Sequence, residues 1–181
     1  MRRDVKRCEK AIRDAYIELC AKKGHDHVKV SDIIKEADIS RSTFYAHYED
    51  IRQLEKEMAE AFVKRAMDIH GTQFALQEES LYKSILDVFT VFCENVKYIQ
   101  AVGYDFLFEA CTKRLVAELN RTCHIISDSK QRKQVQVMIA ALITDSALYL
   151  IEHREADMQS YAKTTTNFII HGLMGVKEHH S

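Results

Sequence analysis

The chain contains no proline and only five glycines among its 181 residues. Proline ends or kinks a helix and glycine weakens one, so few positions can interrupt helical segments. In the first twenty positions, apolar residues recur at the three- and four-residue spacing of a helix face, as Ile12, Ala15 and Leu19 show. The sequence therefore predicts an all-α fold of about nine helices.

A few polar or glycine-containing segments divide the helical pattern. Gly24 is expected to stop the first helix, and Gly71-Thr72 the fourth. Breaks are also expected at Asn95-Val96, Ser127-Asp128-Ser129 and Arg154-Glu155. The expected helices cover about residues 4–23, 31–37, a short segment within 37–48, then 51–70, 79–94, 97–109, 112–126, 130–153 and 156–176.

The segment 37–48 combines a turn with a short helix between two apolar helices. Ser40 can cap this helix, while Phe44 and Tyr48, four residues apart, are expected to pack inward. The remaining side chains face outward and suit phosphates and base edges: Arg41, Ser42, Thr43, Tyr45 and His47. The pattern is typical of a helix-turn-helix, although a surface helix in an unrelated bundle remains an alternative.

Residues 40–48, Ser-Arg-Ser-Thr-Phe-Tyr-Ala-His-Tyr, resemble the signature of the tetracycline-repressor (TetR) family of one-component regulators. The family's first helix is similar to Ala11-Ile12 and Ala15-Tyr16, its glycine corner to Lys23-Gly24-His25, and its second helix to residues 30–34. The resemblance therefore covers roughly residues 5–55. Three positions depart from the family pattern: Asp38 replaces a turn glycine, Lys29 replaces a Ser or Thr cap, and Ile51 replaces a lysine that commonly touches phosphate.

The resemblance implies a helix-turn-helix DNA-binding domain at residues 1–50 and a helical effector-binding and dimerisation domain at 51–181. It also implies a regulator, assigned here as a repressor, that binds a palindromic DNA operator as a homodimer and responds to an unidentified small molecule. The residues assigned to DNA are Ser31, Arg41, Ser42, Thr43, Tyr45, His47, Tyr48 and Arg52.

Two residue sets in the second domain are candidates for ligand and partner binding. The richest aromatic cluster is a candidate ligand pocket, although such clusters are more often plain core: Phe89, Phe92, Cys93, Tyr104, Phe108 and Cys111. The last two helices carry broad apolar faces, interpreted through the resemblance as a dimer interface: Val135, Met138, Leu142, Phe168, Ile169 and Gly172. The alternative is the apolar core of a monomer.

Charge is unevenly distributed although the net charge is only −1. Residues 1–52 hold 12 basic and 10 acidic side chains, whereas residues 53–181 hold 14 and 17. A basic head on an acidic body is compatible with one DNA-facing end. The near-neutral head and Ile51 also leave open a TetR-like activator or protein-interaction module, whose body binds another protein and whose DNA binding is weak or absent.

Other classes of function find little support in the sequence. No nucleotide-binding, nucleophile-elbow or zinc-protease motif is present, so neither an enzyme nor a cofactor is expected. His25-x-His27 and Cys123-His124 lack a second pair of ligands, and His179-His180 is interpreted as a frayed tail, so no metal site is expected. The five scattered cysteines are interpreted as free thiols. The sequence contains no recognisable signal peptide and no apolar run of the roughly 20 residues expected of a membrane span, which predicts a cytoplasmic protein.

Overall fold

The computed structural model describes residues 2–69, 77–122 and 128–178. These residues form nine α-helices and one short 3₁₀ helix, at His25–His27, and the all-α prediction is confirmed. The α-helices are α1 (Arg2–Lys23), α2 (Val30–Glu36), α3 (Arg41–His47), α4 (Ile51–Ile69), α5 (Glu78–Glu94), α6 (Val96–Val102), α7 (Tyr104–Thr122), α8 (Ser129–Glu152) and α9 (Met158–Glu178).

The chain divides into two compact units, and unit 1 comprises residues 1–62 and 96–107. Its core lies between α1, α2, α3 and the first half of α4, with α6 packed on α1. Six large side chains in this core are completely buried: Ile12, Tyr16, Ile33, Phe44, Leu54 and Met58. Burial of such side chains contributes about 1.5–3 kcal/mol each, so the core holds the short helices α2 and α3 in place.

Unit 2 comprises residues 63–95 and 108–181. Helix α5 lies at its centre and packs against both α8 and α9. Leu81, Ile85 and Phe89 of α5 are completely buried, as are Ala140, Ile143 and Ala147 of α8. The small side chains of Ala140 and Ala147 allow a neighbouring helix to approach α8 closely.

Most of the expected helix ends are confirmed. Gly24 has φ 85° and its N–H donates to the Cys20 carbonyl at 2.9 Å, ending α1 as predicted. Asn95 separates α5 from α6, and α8 ends at Glu152, just before the predicted break at residues 154–155. The predicted ends at Gly71-Thr72 and Ser127, together with Cys123-His124 and His179-His180, lie outside the described residues.

The predicted break between residues 109 and 112 is wrong. The chain breaks instead at Gly103, whose φ of 80° lies in the left-handed region that favours glycine. Helix α6 therefore spans only seven residues, and α7 runs through the predicted break without interruption. Apolar residues continue on both sides of Gly103, so their spacing did not reveal the change of direction.

Helix α8 meets the length and composition of a membrane-spanning segment, which the sequence analysis overlooked. Half of the apolar window is nevertheless buried inside the protein. The polar side chains Gln136 and Thr144 are each only 1% exposed within this helix. This pattern is that of a core helix, since a lipid-facing helix would direct apolar side chains outward on every free face.

Candidate nucleic-acid interface

Helices α2 and α3 are joined by a tight turn whose geometry is set by Asp38. Asp38 adopts φ 50°, the left-handed conformation that aspartate tolerates better than most residues. The Ile39 N–H donates to the Ile34 carbonyl at 3.1 Å, closing the turn. Before α2, the Asp32 carboxylate accepts the Lys29 N–H at 2.9 Å, so α2 begins at Val30 without a Ser or Thr cap.

Ser40 caps α3, as the sequence predicted. Its Oγ accepts the Thr43 N–H at 3.0 Å and also lies 2.8 Å from Ser42 Oγ and 2.7 Å from Thr43 Oγ1. Three hydroxyls therefore meet at the start of the helix. Because each hydroxyl can both donate and accept a hydrogen bond, the group can donate to a phosphate oxygen and can bind either a donor or an acceptor on a base edge.

Phe44 anchors α3 from its inner face. The ring is completely buried, and its centroid lies 6.0 Å from that of Tyr48. Tyr48 is itself only 3% exposed, and burial raises its pKa. Although Tyr48 is one of the residues assigned to DNA from the sequence, its ring belongs to the core of unit 1. The inward packing of the Phe44–Tyr48 pair, expected from their spacing, is confirmed.

The outer face of α3 presents Arg41, Ser42 and Tyr45 to solvent. Tyr45 is 46% exposed, and the Arg41 guanidinium lies 5.5 Å from its ring centroid, a cation–π contact that orients both side chains. Thr43 is half-buried. The His47 side chain is 15% exposed, and its Nδ1 lies 3.9 Å from Glu9 Oε1, so it faces α1 rather than open solvent.

The flanking residues assigned to DNA also lie on unit 1. Ser31 is exposed in the first turn of α2. Arg52 is exposed near the start of α4, where its guanidinium lies 5.1 Å from the Phe106 ring centroid. Ile51 is half-buried, so it offers no charge at the position where the resemblance expects a lysine. Sequence reasoning missed Ser40 as part of the exposed surface, because it treated that hydroxyl only as a cap.

Basic side chains of α1 are partly neutralised by acidic neighbours. Lys10 pairs with Asp14 at 2.8 Å, and Arg13 pairs with Glu9 at 3.0 Å. Lys6 and Arg7 are exposed. The Lys10–Asp14 pair is exposed and the Arg13–Glu9 pair is half-buried. Pairs at the surface contribute about 0–1 kcal/mol, so they do not prevent contact with phosphates.

Unit 2 contains a small apolar cavity of about 20 Å³, large enough for one water molecule. Its wall includes Phe92 and Cys111 from the predicted ligand set. Phe89 is buried in the core, Cys93 and Phe108 are half-buried, and Tyr104 is 54% exposed. The structure thus places two of the six predicted residues in one cavity wall.

Polar groups in this cavity wall are few. The Thr144 hydroxyl is buried there and makes no hydrogen bond of normal geometry with any described residue. Burial raises the pKa of the Cys111 thiol to about 12, with Thr144 acting in the opposite direction, so the thiol is protonated at neutral pH. Asp87 is half-buried in the same wall.

All six residues assigned to a dimer interface meet in a surface groove of about 200 Å³ between α8 and α9. Ile139 and Leu173 complete its lining. Met138 is 69% exposed and Phe168 is 71% exposed, although both are large and apolar. An added Cβ at Gly172 would meet nothing within 4 Å, so this glycine leaves open space on the groove.

Residues 12–58 match the family model of bacterial regulatory proteins of the tetR family. The chain has the fold of a TetR-family transcriptional regulator. The match places α2, the turn at Asp38 and α3 within the helix-turn-helix of that family. The resemblance drawn from residues 40–48 is therefore confirmed.

Solved structures support the same fold over nearly the whole chain. A TetR-family regulator from Syntrophomonas wolfei superimposes with a TM-score of 0.68 at 15% identity, covering 94% of this chain and 97% of that one. The fatty acid degradation regulator FadR from Bacillus halodurans gives 0.64 at 14% identity, covering 90% and 94%. The repressor AlkX from Dietzia, implicated in n-alkane biodegradation, gives 0.54 at 19% identity, covering 92% and 97%. No curated protein sequence matches the chain.

Proposed function

We propose that this protein is a cytoplasmic transcriptional repressor that binds a palindromic operator as a homodimer. The observation that carries the proposal is the outer face of α3, where Arg41, Ser42 and Tyr45 are exposed on a helix anchored by buried Phe44. A rigid helix with short polar and basic side chains on its free face fits the major groove. Two such helices in a symmetric dimer would lie ~34–36 Å apart, or a multiple of it.

The outward residues divide into two roles. Arg41 and Ser42 lie in the first turn of α3, where recognition helices reach base edges, so they read sequence. Thr43 and Tyr45 contact phosphates and fix the orientation of the helix, helped by Ser31 and Arg52 from the neighbouring helices, whereas His47, which faces α1, takes no part. Exposed Lys6 and Arg7 add affinity that decreases with salt.

Two alanine substitutions on α3 are expected to separate these roles. Tyr45→Ala should weaken binding to all DNA sequences alike, because it removes a positioning contact and the partner of Arg41. Ser42→Ala should instead change preference at one operator position, by roughly 1–3 kcal/mol between bases. The measurement is selection from random duplexes followed by sequencing, with a salt titration of the winning site.

The Ser42→Ala substitution leaves the helix cap of α3 intact. Its Oγ still accepts the Thr43 N–H in a Ser42→Ala protein, so α3 remains capped and only the exposed hydroxyl is lost. An operator profile that is identical for wild type and Ser42→Ala would remove Ser42 from base readout. If the wild-type protein enriches no sequence at all, a protein-interaction module becomes the better interpretation, as the absence of a lysine at position 51 already allows.

The apolar groove between α8 and α9 supports the homodimer. Met138 and Phe168 would be unfavourable in water in the isolated chain, and a second copy of the same groove would cover both. Charged residues are absent from the groove lining, as is typical of an interface centre. The open space at Gly172 allows a helix of the partner copy to approach closely.

The cavity in unit 2 supports an apolar small-molecule effector. Its lining is mostly aliphatic and aromatic, and the buried Thr144 hydroxyl could hold one polar group. A volume of about 20 Å³ means that an effector must push the walls apart, so binding and a change of shape would occur together. Helix α4 contributes Ala66 and Met67 to this wall and Leu54 to the core of unit 1, so it would carry the change.

Fatty acids and n-alkanes are the first effectors to test. Of two proteins of similar fold, one is a fatty acid degradation regulator and the other is implicated in n-alkane biodegradation. A fatty acid or alkane that binds should raise the melting temperature. At a hundredfold excess over Kd it would increase the free energy of unfolding by about 2.7 kcal/mol. Ala66→Met, which fills the cavity wall, should abolish the shift. A screen in which no apolar molecule stabilises the protein would count against a ligand-sensing function.

A further inference from the structure

A buried carboxylate lies inside unit 1, away from the outer face of α3. Glu55 of α4 is only 5% exposed, although acidic side chains are rarely buried without partners. The Tyr16 hydroxyl of α1, itself completely buried, donates a hydrogen bond to Glu55 Oε1. Burial and the neighbouring carboxylate raise the pKa of Tyr16, so its hydroxyl keeps its proton and acts only as a donor here.

The second partner of Glu55 is His25, in the 3₁₀ helix. His25 Nε2 lies 2.6 Å from Glu55 Oε1, and its Nδ1 lies 3.0 Å from Asp26 Oδ1. Both ring nitrogens therefore face carboxylate oxygens. The contact with Glu55 is an ion-pair contact and not a hydrogen bond of normal geometry, whereas the contact with Asp26 is a hydrogen bond. A neutral imidazole carries one N–H and would direct a lone pair at one of these oxygens, whereas an imidazolium carries an N–H on both nitrogens and attracts both carboxylates. The geometry therefore matches the charged form of His25.

The other elements around the ring complete its environment. Helix α1 brings the Cys20 thiol close to Tyr16 and Glu55, while Lys23, at the end of α1, is paired with Asp32 of α2. The turn between α6 and α7 brings Gly103, where an added Cβ would lie 3.3 Å from His25 Nε2. The cluster thus connects α1, the 3₁₀ helix and α4 directly, and the α6–α7 turn closes over it.

We propose that His25, Glu55 and Tyr16 form a proton-dependent clamp within the unit that carries α3, closed when His25 is an imidazolium. When His25 loses its proton, the buried Glu55 carboxylate loses its only charged partner among these contacts, and the contact with either Glu55 or Asp26 becomes repulsive, depending on which nitrogen keeps its proton. The 3₁₀ helix and the α6–α7 turn are then held less firmly against α4. The clamp makes the stability of the DNA-binding unit respond to pH near neutrality.

The direction of the response follows from the charges around the ring. Burial by itself lowers the pKa of His25, but the hydrogen bond to Asp26 and the charge of Glu55 outweigh it and raise the pKa above 6.5. The clamp therefore contributes its full stability below pH 6.5, and this contribution is lost as pH rises through the folded-state pKa. The His25 side chain is 36% exposed, so solvent screens part of this contribution and reduces the loss of stability on the alkaline side.

The test compares urea unfolding of the full chain between pH 6 and pH 9 for wild type and two histidine variants. His25→Gln keeps an N–H donor for Glu55 but cannot gain a charge. His27→Gln changes an exposed histidine in the same 3₁₀ helix and is the matched control. Wild type and His27→Gln should lose stability as pH rises, and His25→Gln should lack this part of the dependence.

A second measurement gives its main result on the wild-type protein, whatever the stability of the variants. Ring resonances of His25 in the wild-type protein, followed by NMR from pH 5 to pH 9, should titrate above pH 6.5, and Glu55→Gln should lower that midpoint. A His25 midpoint at or below 6.5, or an unchanged pH dependence in His25→Gln, would overturn the clamp. Neither readout involves DNA, so failure of the operator selection would leave this inference untouched.

Discussion

Replacing Phe44 by alanine is expected to unfold unit 1 under conditions in which the wild-type protein is stable. The ring is completely buried, and removal of a buried aromatic ring costs about 3–5 kcal/mol. Helices α2 and α3 have only seven residues each, too few to persist without tertiary packing. Urea denaturation followed by circular dichroism should show an earlier transition, and hydrogen exchange should show lost protection in α2 and α3.

The neighbouring aromatic residue provides a control for this substitution. Tyr45 is 46% exposed, so Tyr45→Ala removes a ring of similar size from the solvent-facing side of the same helix. Its ring centroid lies 5.5 Å from that of Phe44 in an edge-to-face contact, so the loss of stability should be about 0.5–1.5 kcal/mol, well below that of Phe44→Ala. Equal losses of stability in the two proteins would mean that α3 packs in a different orientation, and the assignment of its outer face to DNA would then fail.

The sequence predicted this region well because the chemistry is local. The cap at Ser40, the left-handed turn at Asp38 and the inward direction of Phe44 depend on residues only a few positions apart. A helix of seven residues also has only one buried stripe, so a four-residue spacing is enough to find it. Tyr48 shows the limit of this approach, since the family signature suggested a surface role while its spacing from Phe44 indicated the core.

The elements that sequence reasoning missed depend on contacts between distant residues. From the sequence, Glu55 is expected to be an ordinary exposed helix position. In the structure it accepts a hydrogen bond from Tyr16, which lies 39 residues earlier in the chain. The sequence shows His25 only as one of two nearby histidines without further metal ligands, whereas the structure pairs it with Glu55. Gly103 likewise sits within a continuous apolar pattern, and its turn is visible only from its backbone conformation. The spacing of apolar residues indicates which face of a helix is apolar, but it does not indicate which element packs on that face.

In unit 2 as well, the spacing of apolar residues does not show which of them are buried. An apolar stripe on α8 and α9 was predicted, and all six of its named residues line one groove. The same stripe also contains Ile139 and Leu173, which are 6% and 5% exposed and pack within the unit. Only the structure separates these from Met138 and Phe168, whose exposure leaves them available to a second copy. The cavity could not be predicted at all, since its volume depends on small mismatches in packing.

Replacing Phe168 by glutamate is expected to convert a homodimer into a monomer of 21.0 kDa. Phe168 is 71% exposed in the single chain, so the substitution should hardly change the stability of the monomer. In a symmetric dimer the same position occurs twice near the centre of the interface, and two unpaired carboxylates would become buried there. Loss of one central aromatic contact alone costs about 2 kcal/mol or more, and burial of charge adds to it. Sedimentation equilibrium at micromolar concentration measures the change.

Val137 provides the matched control, because it is 41% exposed on the same helix α8 but does not line the groove. Val137→Glu introduces the same charge and should leave the dimer intact. A wild-type mass of 21.0 kDa would remove the dimer altogether, and a dimeric Phe168→Glu protein would place the interface elsewhere.

The monomeric variant would also lose affinity for a palindrome much more than for a single half-site, because the second α3 would no longer be held in place by the first. Dimer assembly at α8 and α9 and operator symmetry are therefore tested by the same pair of proteins.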